Sequence, residues 1–456
     1  MEIAVRKVDD FFDGEYRDYA KYTISSRAIP SVIDGFKPSQ RKIAYIANKI
    51  FKSANEKPLK VFQLAGRIAA EAFYHHGNAS LESTIIAMAQ TFKNSMPVFQ
   101  GVGQFGSLRS PEAGAPRYVG VKFNENFRML YKDFDLCAPR YEEGEEIEPD
   151  YFLPIIPTVL LNGGSGIAVG FATNILNRRP IDLIDACLNV LENKPINELR
   201  PWINGFTGDF IRSKDDPRSW TILGSFSVKN TSTIEIHEIP PSFTYEKYES
   251  CLNALVEKGT LSSYDDYSSD KINYSLKFPR ATLAEIQKKP DKLIDILKLK
   301  ESDTENLTTL DENGKLKIFS SAEEIVEYFV NFRIKFYEKR RQKIIDSLNR
   351  EINILTSRTL FIKAIIEGTL KVANVKKAQI IEQIENLQIP KEDGSYDFLL
   401  AMQIHTLTAE RYEELLKKIE DLKQALESII KVTPISLYKK DLKDLRKQLE
   451  KSANAS

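Results

Sequence analysis

The sequence predicts an α+β chain built in three consecutive parts, and three patterns carry that prediction. A basic, helix-forming stretch lies in the first third between Lys21 and Arg67, strand-like alternation takes over between about residues 204 and 280, and from about residue 321 two long helices carry heptad seams. A length of 456 residues suits about three domains. Hydrophobic residues at 42% and aromatics at 10% exclude a wholly disordered chain. Lys plus Arg number 64, as do Asp plus Glu, so any nucleic-acid surface has to be local rather than a general polycation. The three cysteines, Cys137, Cys187 and Cys251, are far apart and form no CxxC pair. That argues against a disulfide framework or a cysteine-based zinc site and suits a reducing cytoplasm. The first ten residues lack the apolar core of a signal peptide.

Ten basic residues lie between Lys21 and Arg67, opposed only by Asp34 and Glu56. Such a stretch reads either as a local phosphate-binding surface or as a solvated helix face, and charge alone leaves both open. Within it residues 39–47 read as a helix, because Pro38 suits the first turn and Ile43, Ile46 and Ile50 form a stripe. Residues 64–74 and 80–91 read as two more helices, which allows a helix-turn-helix or winged-helix arrangement. Residues 141–150 are a dense acidic boundary. Residues 152–176 are mostly apolar or small, but Pro154, Pro157 and the glycine-rich run at 162–166 break any continuous helix. Two buried strands flanking a glycine loop fit that stretch better than a membrane span.

Residues 219–227, 232–238 and 272–278 alternate in strand fashion, with a helix expected over 245–258. Further on, Ile345, Leu348, Ile352, Leu355, Thr359, Ile362 and Ile366 step by three and four. Tyr412, Leu415, Ile419, Leu422, Leu426 and Ile429 repeat the pattern, and Pro434 ends it. The residues between the two seams are enough for the chain to turn and return as an antiparallel pair. Packing within one chain and a stalked dimer interface both accommodate such seams.

Few residues suit familiar chemistries. No GxxxxGK[ST] loop and no GxGxxG behind a strand is read in the chain, so no nucleotide site is expected. Four histidines and three scattered cysteines offer few ligands for a transition metal, and Gly164-Ser165-Gly166 does not make the GxSxG elbow of a hydrolase. What remains is a polar cluster in the first 120 residues, with a glycine loop at 101–107 and a strand-like run at 118–123.

A series of motifs then stands in order along the chain. It runs through Ser26-Arg27-Ala28-Ile29-Pro30, Asp34-Gly35-Phe36-Lys37-Pro38, His75-His76-Gly77, Met88-Ala89-Gln90, Gly103-Gln104-Phe105-Gly106-Ser107 and Ala115-Pro116-Arg117-Tyr118. Leu153-Pro154-Ile155-Ile156-Pro157 and Asn162-Gly163-Gly164-Ser165-Gly166-Ile167-Ala168-Val169-Gly170 complete it. The series resembles the breakage-reunion subunit of type IIA DNA topoisomerases, the family to which the cleavage subunit of gyrase belongs. The short C-terminal end, without a β-pinwheel, is most similar to the medium-subunit form found in T-even phages. Its absence implies no DNA wrapping and no gyrase-type negative supercoiling.

The resemblance implies that Tyr118 attacks a DNA phosphodiester, leaving a 5′-phosphotyrosyl link and a free 3′-hydroxyl. A phenol is a poor nucleophile until it loses its proton, so a cationic neighbour is chemically sensible. Arg117 matches the arginine beside that tyrosine, and Arg27 and His76 complete the implied catalytic set. Lys37, Arg41, Lys42 and Gln104 are the implied DNA contacts, and Ile167 occupies the position of an apolar wedge between base steps. The family architecture implied is a winged-helix DNA-gate domain over 1–150, a tower domain over 151–320, and a long antiparallel coiled coil with a terminal dimer gate over 321–456. Mg2+ and ATP are expected on a partner subunit with ATPase and Toprim domains, and no metal site is expected in this chain. The implied assembly is a homodimer within a heteromer that acts on double-stranded DNA, with no membrane, in the cytoplasm (the host's, for a phage protein). A non-catalytic DNA-bending architectural dimer of the same fold is the rival reading. A tyrosine recombinase fits less well, because its tyrosine would be expected near the C-terminus.

Overall fold

The computed structural model describes residues 8–53, 56–74, 77–269, 271–288, 290–403 and 408–455. Mixed helix and sheet is the observed class, as expected. The chain divides into two compact units, one up to Arg333 and again from Asp441, the other Ile334–Lys440.

The first unit begins with helical segments to Ala28, then helix α1 (Pro38–Ile50). Proline at its first turn costs no hydrogen bond, and the Gln40 side chain accepts from the Lys37 backbone N–H at 2.9 Å, capping the N-terminus. Ile43, Ala44, Ile46 and Ala47 form its buried face. Strand β1 (Leu59–Lys60) leads into α2 (Val61–Glu71), and α3 (Asn78–Ala89) follows. Both helices start two or three residues earlier than the apolar spacing suggested, since the buried Val61 in α2 and the approach to Leu81 in α3 extend each one backwards. Strands β2 (Phe99–Val102) and β3 (Gly120–Phe123) complete a three-stranded antiparallel sheet in the order β1-β3-β2, with Val121 opposite both Leu59 and Gly101. Phe51, Phe99, Phe123, Phe127, Tyr131 and Phe152 fill the space behind it, with ring centroids 4.5 Å apart in the Phe123–Phe127 and Phe127–Tyr131 pairs.

The expectation for residues 152–176 needs correcting. Leu153–Pro154 is a two-residue strand, Thr158–Leu161 is a short helix, and Gly164 and Gly166 sit inside strand β4 (Gly164–Ile167), not in a loop between two buried strands. Strand β5 (Ala172–Ile175) returns antiparallel to β4, and the pair forms a projecting hairpin. The absence of a side chain at Gly166 is what lets β4 pass so close to neighbouring backbone.

The region expected to be one strand over 219–227 is two. Strands β6 (Asp209–Arg212) and β7 (Ser219–Leu223) belong to one sheet, whereas β8 (Ser225–Val228), β9 (Thr233–Glu238), β10 (Ser263–Asp266) and β11 (Tyr274–Lys277) belong to another, ordered β8-β9-β11-β10. Strand β12 (Lys300–Thr304) is the third member of the first sheet. Gly224 makes the switch, because a side chain there would meet the carbonyl oxygen of Glu238. Helix Tyr245–Glu257 covers the four-stranded sheet, burying Tyr248 and Leu252 with Ile234, Ile236 and Leu276.

Helix Ala322–Ile366 and helix Ala409–Lys431 carry the two seams, and helix Pro434–Ala455 ends the chain. Within the second unit Leu355, Ile362, Leu415 and Ile419 form one apolar cluster with Ile352, Tyr412 and Leu422 against it. The expected stripes therefore meet within this chain. No helix among the described residues is long and apolar enough to cross a membrane.

Candidate active site

The loop over residues 103–118 leaves β2 and returns through β3, and it is braced along its length. Gly103 and Gly106 take φ values of +105° and +79°, a region that disfavours side chains, and a Cβ on Gly106 would lie 2.7 Å from the Pro111 carbonyl. The buried Gln90 amide donates to the carbonyls of Phe105 (2.9 Å) and Pro111 (3.1 Å). The Gly114 N–H donates to the Gln104 carbonyl at 2.9 Å, and Tyr118 N–H to Ala115 at 2.8 Å. The start of α2 grips the same turn, with Val61 N–H on the Val119 carbonyl and Phe62 N–H on that of Pro116.

This scaffold presents Tyr118 to solvent at 70% exposure. The Arg117 guanidinium lies 5.5 Å from its ring centroid, and the Lys60 ammonium donates to the Tyr118 carbonyl at 2.6 Å. An exposed phenol thus stands on a hydrogen-bonded turn, with one cation over its ring and another holding its backbone carbonyl. The site reading of the sequence does not include Lys60; its membership in the basic stretch is the one signal that points to it. The Gln104 side chain is exposed on the same loop.

A second cluster forms around the β4–β5 hairpin. Ile167 is 89% exposed near its tip, an unusual place for an isoleucine. The Lys37 ammonium donates to the Ser165 carbonyl at 2.8 Å, and partial burial pulls its pKa below the ordinary lysine value. Exposed Arg27 precedes Ala28, whose backbone abuts Gly166. Gly166→Ala would drive its Cβ into the Ala28 carbonyl oxygen with the Lys37 Nζ 3.3 Å away. We expect this change to cost about 1–3 kcal/mol and to lift the hairpin, as a urea melt against the wild-type chain would show. Tyr118, Arg117 and Gln104 thus form one group and Arg27, Lys37 and Ile167 another, and no hydrogen bond or ion pair joins the two among the described residues.

Arg41 and Lys42 are placed differently from the exposed phosphate contacts expected of them. Arg41 is 7% exposed, and its guanidinium donates to both oxygens of the fully buried Asp34 at 2.7 and 3.0 Å. Burial works against that charge, but Asp34, Glu148 and Asp150 outweigh it and raise the guanidinium pKa. Lys42 pairs with the buried Glu148 at 3.0 Å and donates to the Ala72 carbonyl. Both cations are used inside the protein because the N-terminal half of α1 packs inward. His76, with His75, lies outside the described residues.

Other chemistries find no support here. Residues 101–106 do carry GxGxxG spacing at the end of β2, contrary to the sequence reading, but no helix follows and the Phe105 ring fills the space a Cβ on Gly101 would need. That is a hairpin loop and not a dinucleotide cradle. Among the described residues no three His, Cys, Asp or Glu side chains gather to hold a metal ion, and Asp133 of the only DxD run pairs with Arg333 at 2.5 Å. Among the described residues, none of these groups fits a divalent ion. Burial pushes the Cys137 thiol up to about 12, which leaves it unreactive at neutral pH.

The geometry therefore brings to the surface an exposed tyrosine on a braced turn beside an arginine and an apolar residue held out on a hairpin. Residues 27–445 match the family model of the A-type subunit of DNA gyrase/topoisomerase IV, and the chain belongs to that family. It is 34% identical to the mitochondrial DNA topoisomerase 2 of Dictyostelium discoideum over 97% of its own length, but spans only 35% of that relative. It is 30% identical to the DNA topoisomerase medium subunit of Enterobacteria phage T4, covering 98% of this chain and 100% of the phage protein. Among solved structures it superposes on the DNA-binding, cleavage and re-ligation domain of Plasmodium falciparum topoisomerase II with a TM-score of 0.83 and 32% identity, over 98% of this chain and 65% of the other.

Proposed function

We propose that this chain is the DNA cleavage and religation subunit of an ATP-dependent type II DNA topoisomerase, one that relaxes or decatenates DNA through transient double-strand breaks. The observation that carries the reading is Tyr118, held 70% exposed on a braced turn beside Arg117 and Lys60. The Tyr118 phenolate oxygen attacks a backbone phosphorus. A new P–O bond forms as the bond to the 3′-oxygen breaks, and that oxygen leaves as a hydroxyl after taking a proton. The 5′-phosphate is then esterified to Tyr118, and the reverse attack by the 3′-hydroxyl reseals the strand. One ester replaces another, so religation needs no energy input. Arg117 and Arg27 stabilise charge growing on the pentavalent phosphate, and His76 hydrogen-bonds the phosphate or relays the phenolic proton. Lys37 and Gln104 contact the DNA, while Arg41 and Lys42 act indirectly by holding α1 in place.

Residues 1–150 are the winged-helix DNA-gate domain, 151–320 the tower and 321–456 the coiled coil with a terminal dimer gate. In the cytoplasm, two copies join two of a partner carrying ATPase and Toprim domains, which would bring ATP and Mg2+. The test is topoisomer analysis of supercoiled plasmid with both proteins. Linking number changing in steps of two supports the reading. DNA bending without any change in linking number would favour an architectural dimer instead.

Ile167 gives a separate prediction. Pushing an apolar side chain between base steps costs a few kcal/mol of unstacking, repaid by contacts along the bent duplex. Ile167→Ala should reduce the DNA bend seen by energy transfer between end labels and lower cleavage about tenfold. Stability should change by less than about 0.5 kcal/mol, because the side chain is in solvent.

A further inference from the structure

We propose that Arg109 and Glu238 are positioning residues that set the rate of the tyrosine step, by tying the loop that carries Tyr118 to the end of strand β9. The inference rests on the cleavage reading above. The loop makes a tight turn in which Ser107 N–H donates to the Ser110 carbonyl at 2.8 Å, and Arg109 projects from that turn. Its Nη1 donates to the carbonyls of Pro240 (2.8 Å) and Phe243 (2.9 Å), and its Nη2 to the Glu238 carboxylate and the Ile239 carbonyl, both at 2.6 Å. The Arg109 carbonyl in turn accepts from Tyr245 N–H at 3.2 Å. Glu238 is equally committed, since its other oxygen accepts from the backbone N–H and the hydroxyl of Thr207, each at 2.8 Å. Both side chains are buried, at 7% and 4% exposure.

Next to Arg109, Leu108 packs against the apolar cluster of Phe206, Phe210, Trp220 and Ile222. The middle of the loop is therefore wedged among strands that begin about a hundred residues later in the chain, while its last residues present Tyr118. A buried ion pair is weak evidence of stabilisation and is better explained by geometric specificity. The chemistry needs such geometry, because an in-line attack displaced by about 1 Å loses about a hundredfold in rate. With the tie cut, the middle of a loop with glycines at 103, 106 and 114 would loosen around its remaining braces. The pair also links the reacting tyrosine to the sheet β8–β11, so a shift of that sheet would be felt at Tyr118.

The test uses the full chain with its ATPase/Toprim partner, comparing wild type with Glu238→Gln and Arg109→Lys. Glu238→Gln removes the carboxylate charge and Arg109→Lys the two-nitrogen donor set, so each loosens the tie from one side. Two measurements are made, single-turnover formation of protein-linked DNA at rising DNA concentration and hydrogen exchange of amides 103–118. The expected result is a maximal cleavage rate about tenfold lower in Glu238→Gln and intermediate in Arg109→Lys, with half-saturation by DNA unchanged within about twofold. Exchange should rise across 103–118 but not in β6, β7 or β12. An unchanged cleavage rate, or a loss of DNA affinity equal to the loss of rate, overturns the proposal. If the wild-type chain itself forms no linked DNA, the cleavage reading fails. In that case exchange alone decides the tie, and unchanged protection in Glu238→Gln overturns it.

Discussion

Tyr118→Phe should bind DNA as tightly as the wild-type chain and form no covalent link to it. The substitution removes only the phenolic oxygen from a ring that is already 70% exposed, so neither packing nor stability has reason to change. Every contact that shapes the turn is made to backbone atoms of it: Tyr118 N–H to Ala115, Lys60 to the Tyr118 carbonyl, and the start of α2 to the carbonyls of Pro116 and Val119. Phenylalanine preserves all of them. Protein-linked DNA, trapped with denaturant from supercoiled plasmid in the presence of the partner, should fall by at least about 10³-fold, within the range seen when a covalent nucleophile is removed. Arg117→Ala should retain the link but form it about 10²-fold more slowly, as expected on losing one group that stabilises developing charge. If the Phe variant were still linked to DNA, another nucleophile would be at work and Tyr118 would be excluded.

The second large effect concerns stability. Arg178 is completely buried and Glu305 nearly so. They pair through two contacts of 2.7 and 3.1 Å, and Glu305 also accepts from the Trp220 indole N–H (3.0 Å) and the Leu176 backbone (2.9 Å). Glu305→Leu would leave the Trp220 N–H without an acceptor and the Arg178 charge without a counter-charge, its guanidinium keeping only backbone carbonyls such as those of Leu199 and Leu176. Breaking one side of a buried pair costs about 3–5 kcal/mol, enough to lower the melting temperature of a unit this size by about 4–7 °C. Replacing both partners, Arg178→Met with Glu305→Leu, should recover most of the loss, because no buried charge is left over. Calorimetry on the two variants decides it. A double variant no more stable than Glu305→Leu would mean that the apolar pair cannot pack there. Because Arg178 stands just beyond the β5 strand of the Ile167 hairpin, the single variant should also weaken DNA bending.

Both effects depend on residues that differ in how visible they are in the sequence. The apolar stripes of α1 and of the two long helices predict those elements well, since a helix repeats every 3.6 residues whatever surrounds it. The strand expected over 232–238 forms as Thr233–Glu238 because its alternation places Ile234 and Ile236 on one buried face. Tyr118 is not visible in this way. A tyrosine beside an arginine is ordinary, and only the ordered motif series draws attention to it. Arg41 and Lys42 illustrate the opposite problem: a run of cations looks like a phosphate surface, yet their partners Asp34 and Glu148 bury both charges, Glu148 from 106 residues away.

By itself the sequence determined the kind of element at most positions, the family through its motifs, and which residues were candidates for chemistry. Those properties follow from backbone sterics and side-chain periodicity acting over a few neighbours. Only the tertiary structure decided that Gly224 splits one apparent strand between two sheets, that Ile167 stands in solvent, and that Arg109 meets Glu238 across 129 residues of chain. A buried charge has to find an acceptor inside the fold, and which acceptor lies within about 3 Å depends on how the sheets pack, which no local pattern records.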